Sequence, residues 1–492
     1  MYDHSVEQEH DRLSGRFGRR RFLLDASAGL GAIALHWLLE REARAADREA
    51  DRRTLPGASP RPAPHFEPKV RRVIQIFACG GMSHLDTFDH KPLLRERHGR
   101  AIEVKGKITP FFGQPGTCLQ SPWTFEKRGE SGLEISSLLP EIAKCADDLT
   151  IIRSMVAKSA NHTPATFQMN SGFTLNGFPS MGAWLSYGLG TENENLPAYV
   201  VLPDPRGLPA GGAINWTSGF LPASHQGVCF RTKGDPIPDL STPDDVEPAE
   251  RDAGRAFLAR LNRGDLAAHP GDSSLEARIR SYELAARMQT SIPESLDLAR
   301  EPKSVRDLYG LDQPATAGFG RNCLMARRLI ERGVRFVQLY HGGAFGSPRI
   351  NWDAHEDLKE NHGNQAASLD RPVAGLLRDL KSRGLLADTL VLFTTEFGRT
   401  PFTQGIDGKG RDHHNLAFSC WMAGAGLRPG IAHGATDEFG YQIVDSPTSI
   451  YDLHATILHL LGIDHKRLTY YYNGLNRRLT DVHGVVVEPL LA

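Results

Sequence analysis

The sequence predicts an α/β protein: a three-layer sandwich with a mostly parallel central sheet, an inserted cap region and a small C-terminal β appendage. Three observations lead there. Short apolar runs recur along the chain, each closed by glycine or polar residues, which is the pattern of strands buried on both faces. Helical patterns lie between these runs, and that alternation places helices on both sides of one sheet. The 492 residues are 40% apolar and 23% charged, enough for one large core or two ordinary ones, with no sign of a fibrous or disordered composition.

The chain opens on Arg19-Arg20-Arg21-Phe22-Leu23, an apolar run to about Leu39, and small residues at Ala43-Arg44-Ala45-Ala46. Residues 1–46 therefore read as a twin-arginine export signal cleaved near Ala45 or Ala46, which places the mature chain in the periplasm or outside the cell. An uncleaved anchor is the alternative, but the run is short for a span and carries Asp25 and His36, so no stable membrane span is expected after cleavage. Residues 47–68, rich in Arg, Pro and Ala, read as a flexible linker. The formal net charge of -1 gives no field that would gather nucleic acid, which excludes non-specific polyanion binding. Six widely spaced cysteines form no C-x-x-C pair; they allow one or two disulfides of undefined pairing.

Folding is expected to begin near Val70. Strands are predicted at 73–78, 149–152, 199–202, 334–339, 389–393 and 417–422, with helices at about 138–146, 182–189, 318–332, 364–383 and 449–461. The main domain is set at 69–465. Within it, 205–315 breaks the rhythm with Pro and Gly clusters and then polar helices such as 274–290, and reads as an insertion or cap over one end of the sheet. Residues 466–492 read as the β appendage, with a turn at Asn473-Gly474 and a strand-like Val485-Val486-Val487. Ser446-Pro447 and Gly462 read as the start and stop signals of the last helix.

In open parallel sheets ligands gather beyond the carboxyl ends of the strands, and the polar clusters fall there. They are Ser83-His84-Leu85-Asp86 and Asp89 after the first strand, Asn351-Trp352-Asp353-Ala354-His355 after the fourth, and Glu396-Phe397-Gly398-Arg399 after the fifth. Arg411-Asp412-His413-His414 follows. Imidazoles and carboxylates from separate loops at one edge suit a one- or two-metal hydrolytic site. Asp86, Asp353, His355, Glu396, His413 and His414 are the candidate metal ligands. Loop capping explains any one of these motifs equally well. Mixed imidazole and carboxylate donors fit several divalent ions, among them Zn, Mn, Fe, Ca or Mg. Arg399, ahead of Arg411, suits the oxygens of a phosphate or sulfate, and a structural pairing with a carboxylate is the alternative. His454, His459 and Trp352 read as packing residues.

Thr389-Leu390-Val391-Leu392-Phe393-Thr394-Thr395-Glu396-Phe397-Gly398 resembles the late strand of alkaline phosphatases and sulfatases, and His413-His414 followed by Trp421 to Gly430 resembles their ligand histidine and the turn after it. Ser449 to Ile463 resembles their terminal helix, and order and spacing agree across most of Val70–Asp464. With Gly80-Gly81-Met82-Ser83-His84-Leu85-Asp86-Thr87-Phe88-Asp89, the chain is more narrowly similar to the exported family called domain of unknown function 1501. The resemblance implies an alkaline-phosphatase-like fold and hydrolysis of phosphate or sulfate esters.

The departures from that pattern bear on chemistry. Aligned with the nucleophile segment of sulfatases, Asn161-His162-Thr163-Pro164 puts His162 where Cys or Ser belongs. Gly80 stands at the first-strand aspartate, leaving Asp86, Asp89 or His84 as substitutes, and Glu396-Phe397 stands for Asp-His. His162 could be a nucleophile, a metal ligand beside direct attack by water, a neighbour of an activated Thr163, or purely structural. His162, Thr163 and Arg399 are accordingly the candidate catalytic residues. The expected function is an exported metal-dependent hydrolase of phosphate or sulfate esters acting on a small-molecule or carbohydrate ester. The alternative is a catalytically degenerate binding or assembly protein of the cell envelope. Oligomeric state is not readable from the sequence.

Overall fold

Each predicted strand segment enters one sheet because its residues are apolar on both faces and can be covered from both sides. The computed structural model describes residues 63–492 except 105, 107, 232–236, 238–246, 292–296, 344, 347 and 348, all within the unit Pro62–Ala492. The expected signal 1–46 and linker residues 47–62 lie outside the described residues.

The main sheet, the small sheet beside it and the C-terminal hairpin are built from β1 (Arg72–Ala78), β2 (Pro115–Cys118), β3 (Thr150–Val156), β4 (Tyr199–Leu202), β5 (Val228–Cys229), β6 (Phe336–His341), β7 (Thr389–Thr394), β8 (Gly398–Gln404), β9 (Arg411–His414), β10 (Phe418–Ala423), β11 (Ile431–His433), β12 (Thr448–Ser449), β13 (Tyr470–Tyr472) and β14 (Leu475–Arg477). Among the described residues the main sheet runs β11-β3-β10-β7-β1-β6-β4-β5, with β12 also on β3. All of its pairings are parallel except those of β10, which is antiparallel to both neighbours. The carboxyl ends of β1, β3, β6 and β7 and the amino end of β10 therefore share one edge. A second sheet, β9-β8-β2, stands beside that edge.

Alternation sorts the side chains of the central strand into two cores. Ile74, Ile76 and Ala78 of β1 face a layer built on α5 (Pro314–Glu331) and α6 (Leu358–Ser382). Val73 and Phe77 face a layer built on α2 (Met181–Leu189) and α7 (Ile450–Leu460). The helix α1 (His162–Ser171), which the sequence patterns did not suggest as a helix, also lies on the second side. It is pinned by a buried polar chain: Gln338 Nε2 donates to Asn170 Oδ1 at 2.8 Å, and Asn170 Nδ2 donates to the Tyr340 hydroxyl at 3.2 Å. That anchoring, at the far end of α1, fixes its first residue, His162, over the strand ends.

Within 205–315, β5 lengthens the sheet beside β4, followed by α3 (Pro248–Ala268) and α4 (Ser273–Ser291). The last helix is capped by Ser449 in a reciprocal capping box with Asp452, three residues later than Ser446. Gly462, at φ +75°, follows its end, as expected of a helix stop. In the C-terminal segment β13 and β14 form a hairpin, with Asn473 and Gly474 at positive φ (48° and 79°), the signature of a type I′ turn. Val485–Val487 form no strand; Val485 and Val487 donate their N–H groups to Asp452 Oδ1 and Thr456 Oγ1, lying along α7. All six cysteines are unpaired.

Candidate metal centre

Four side chains from three segments meet at the shared edge. His162 Nε2, His355 Nε2, His413 Nε2 and one oxygen of Asp353 belong to a set of donor atoms that all lie within 4.8 Å of one another. Asp353 Oδ1 is the hub, 2.7 Å from His355 Nε2, 3.2 Å from His413 Nε2 and 3.3 Å from His162 Nε2.

Local structure explains each placement. Asp353 and His355 lie two apart in the loop after β6, where a tight turn, with His355 N donating to Asp353 O at 3.3 Å, carries both side chains to the cluster. Trp352, fully buried between them and β6, locks the loop: its N–H donates to Cys79 O at 2.8 Å and its indole to His341 Nδ1 at 3.1 Å. The loop comes so near Gly80 that a Cβ there would sit 2.6 Å from the backbone nitrogens of Trp352 and Asp353, and Gly80 has φ +112°. Only glycine fits that contact. His413 is on β9, opposite Arg399 on β8.

The far nitrogens decide what the near ones can do. His162 Nδ1 lies 2.7 Å from Glu396 Oε1, His413 Nδ1 lies 2.6 Å from Ala160 O, and His355 Nδ1 meets Gln404 Oε1. All three partners are acceptors, and with the proton on Nδ1 each Nε2 turns a lone pair toward the cluster. His355 Nε2 and His413 Nε2 stand 2.9 Å apart, and the buried His162 Nε2 lies 3.3 Å from Asp353 Oδ1. Rings and a carboxylate that converge in this way suit a cation among them. Burial above all holds His413 down, to about 3. Burial also acts to lower His162, but hydrogen bonds to Asp353 and Glu396 raise it overall. Burial pushes Asp353 up, yet Arg399 and the three imidazoles outweigh it and keep the carboxyl far below the usual range, hence ionised. Three imidazoles, one carboxylate and an acceptor behind each ring are a donor set and outer shell that suit a first-row divalent ion.

The cluster floors a pocket of about 490 Å³, whose wall also includes Phe112, Arg349, Glu356 and Gln404. Phe111 stacks on His413 (4.8 Å, 25°), Phe112 meets His355 edge-on at 5.4 Å, and Phe345 and Phe397 pack against His162. Among the described residues, none of the wall comes from 205–315.

The sequence matches the family described as protein of unknown function (DUF1501) over residues 70–491. The chain belongs to that family. No curated protein shows significant sequence similarity to this DUF1501 protein. Solved structures similar to it include the PsFucS1 sulfatase from Pseudoalteromonas sp., at 12% identity over 84% of this chain and 72% of that one, TM-score 0.34. A TAB5 alkaline phosphatase mutant with Mg bound is similar at 9% identity over 80% and 98%, TM-score 0.35. The C-terminal periplasmic domain of EcEptC from Escherichia coli, in complex with Zn, is similar at 9% identity over 82% and 86%, TM-score 0.33.

The remaining residues singled out in the sequence sit elsewhere in this DUF1501 protein. Glu396 is fully buried behind His162, and its Oε1 also accepts from Gly80 N at 2.8 Å, so it orients the imidazole. Asp86 is fully buried against Arg411, whose Nε donates to Asp86 Oδ2 at 2.8 Å. His414, next to His413 in β9, points to the opposite face, with Nε2 2.7 Å from Tyr441 O. Arg399 is fully buried; it bonds Asp353 Oδ1 (2.7 Å), Gly81 O (2.7 Å), Gly80 O and Arg411 O, and thus faces the protein interior. Of the possible substitutes for the first-strand aspartate, Asp89 pairs with Lys91 and Thr436, and His84 with Gly440 O. Thr163 is half-buried in the first turn of α1 and does not line the pocket. Sequence reasoning missed Arg349, Gln404 and the Phe111-Phe112 pair. Only Arg349 had a local signal, as a cation four residues before Asp353.

Proposed function

We propose that this protein is an exported, metal-dependent hydrolase of phosphate or sulfate esters, carried by a small-molecule or carbohydrate substrate. The observation that supports it is the convergence of three outward-anchored imidazoles on the Asp353 carboxylate at the floor of an open pocket. In this reading His162, Asp353, His355 and His413 hold one divalent ion, with Glu396, Gln404 and Ala160 O as the groups that aim the rings. A bound ion would supply Lewis acidity, polarising an ester oxygen and easing deprotonation of water. Among the described residues, none of the pocket-lining side chains carries a hydroxyl or thiol. We therefore assign the attack to water: its oxygen bonds to phosphorus or sulfur, the ester bond to the leaving oxygen breaks, and that oxygen takes up a proton.

Elemental analysis of the protein, purified, stripped with chelator and reloaded with Zn, Mn, Mg or Ca, tests the reading together with a panel of chromogenic phosphate and sulfate esters. One ion per chain and turnover that vanishes on stripping and returns on reloading are expected. One ion per chain with silence across the panel would favour the envelope binding or assembly role. No bound ion would remove both the site and the reaction.

Glu396 gives a finer check. Glu396→Gln keeps the shape but removes the charge that draws the His162 Nδ1 proton, and loss of an outer partner of this kind weakens metal affinity about 10–100-fold. Titration with a competing chelator should place the variant in that range; unchanged affinity would detach Glu396 from the site.

A further inference from the structure

We infer that the mouth of the pocket recognises an anion that carries a ring, with Arg349 taking the anionic group and the Phe111-Phe112 pair taking the ring. The inference rests on the metal-site reading above and deepens it to a substrate class.

Arg349 is the one lysine or arginine among the described pocket-lining residues. Its side chain is 32% exposed, Nε donates to Glu356 Oε2 at 2.6 Å, and Nη1 reaches Asp353 Oδ2. The guanidinium is thereby held flat against the donor cluster, open on the pocket side, whereas Arg399 is enclosed beneath it. Among the described pocket-lining residues the formal charges of Arg349, Asp353 and Glu356 sum to -1. A divalent ion reverses this to +1, so an anion is attracted only after loading.

The ring-binding half is independent of charge. Phe111 and Phe112 are 40% and 45% exposed, large apolar surface to leave in water at the rim of a polar cleft. They are fixed there: both backbone N–H groups donate to Asp412 Oδ2, at 2.7 and 2.8 Å, while Asp412 Oδ1 accepts from His413 N. The two rings meet edge to face at 4.6 Å, and each also packs on a candidate ligand imidazole. A rigid aromatic corner beside a cationic floor suits a phosphate or sulfate ester of a planar or pyranose ring, whose flat face can lie on the exposed phenyls.

The test is calorimetric and needs no substrate. Inorganic phosphate, methylphosphonate and phenylphosphonate are titrated into zinc-loaded and chelator-stripped wild type, Arg349→Gln, Phe112→Ala and Phe112→Leu, with zinc content measured on each sample. Phenylphosphonate should bind loaded wild type at least tenfold more tightly than methylphosphonate, a ratio in keeping with burial of a phenyl face. Neither should bind the stripped protein. Arg349→Gln should weaken all three anions at least tenfold with zinc retained, and Phe112→Ala should collapse the phenyl preference while leaving phosphate affinity unchanged, with Phe112→Leu in between. Equal affinity for the two phosphonates, or anion binding unaffected by Arg349→Gln, overturns the inference. Absence of zinc from wild type instead overturns the metal site on which it rests.

Discussion

Replacing His413 with alanine is expected to strip the metal from the protein: content after dialysis should fall from about one ion per chain to less than a tenth. His413 contributes one of four converging donors, and its Nε2 lies within 3.2 Å of both Asp353 Oδ1 and His355 Nε2. Loss of a direct donor should exceed the 10–100-fold typical of an outer partner, and any turnover should fall with it. The comparison variant is His414→Ala. His414 is the chain neighbour of His413 and is equally an imidazole on β9, but its Nε2 is directed at Tyr441 O and its ring stacks on Tyr441 at 4.6 Å. That variant should unfold more readily through the lost packing and yet keep its ion. If His414→Ala empties the protein while His413→Ala remains loaded, the ligand set proposed here is wrong. Elemental analysis of both, with circular dichroism to establish folding, decides the matter.

The contrast between these neighbours shows where sequence reading stops. A His-His pair reads as two ligands, but in a strand successive side chains face opposite ways, so one pocket receives only one of them. Asp353 and His355, spaced by two, reach the pocket from a turned loop, with His355 N donating to Asp353 O at 3.3 Å, and not by strand alternation. The strands themselves were legible because strands buried on both sides leave nearly continuous apolar runs such as Val73–Ala78, broken by Gln75, and Leu390–Phe393; the antiparallel direction of β10, which no helix separates from β7, was not. The Asn473-Gly474 hairpin was legible from backbone preference alone. By contrast, α1 is nearly without apolar periodicity: it buries Gln168, Asn170 and Ser171 along with its apolar residues, and its position comes from hydrogen bonds to the sheet. Arg399 was legible as a cation at the right edge, but its enclosure by Gly80, Gly81 and Arg411 carbonyls depends on loops that meet only in three dimensions. The approach of Phe111-Phe112 to His413, through Asp412, is tertiary in the same sense.

Asp86 supplies the second large effect, and it is one of stability. Asp86→Ala should destabilise the fold by about 3–5 kcal/mol at neutral pH, the usual result of leaving one member of a buried ion pair without its partner. Both side chains are fully buried, and Arg411 reaches both carboxylate oxygens while its other hydrogen bonds go to Thr400 O and Leu119 O. That arrangement ties the loop after β1 to β8, β9 and the segment after β2. Burial acts to raise the Asp86 carboxyl, but the charge and hydrogen bonds of Arg411 dominate and hold it below its ordinary value. A carboxyl depressed in the folded state contributes its full stability above the unfolded pKa, about 3.9, and loses it as pH falls through the lower folded value. The wild type should therefore surrender this contribution in acid below about pH 4, and the gap between wild type and Asp86→Ala should narrow there. Urea unfolding at pH 7 and at pH 3 measures both numbers, and elemental analysis of the folded variant measures a third. Because Asp86 faces Arg411 and not the imidazole cluster, the folded variant should keep its ion; a stable variant lacking the ion would instead make Asp86 a ligand and the ion pair incidental.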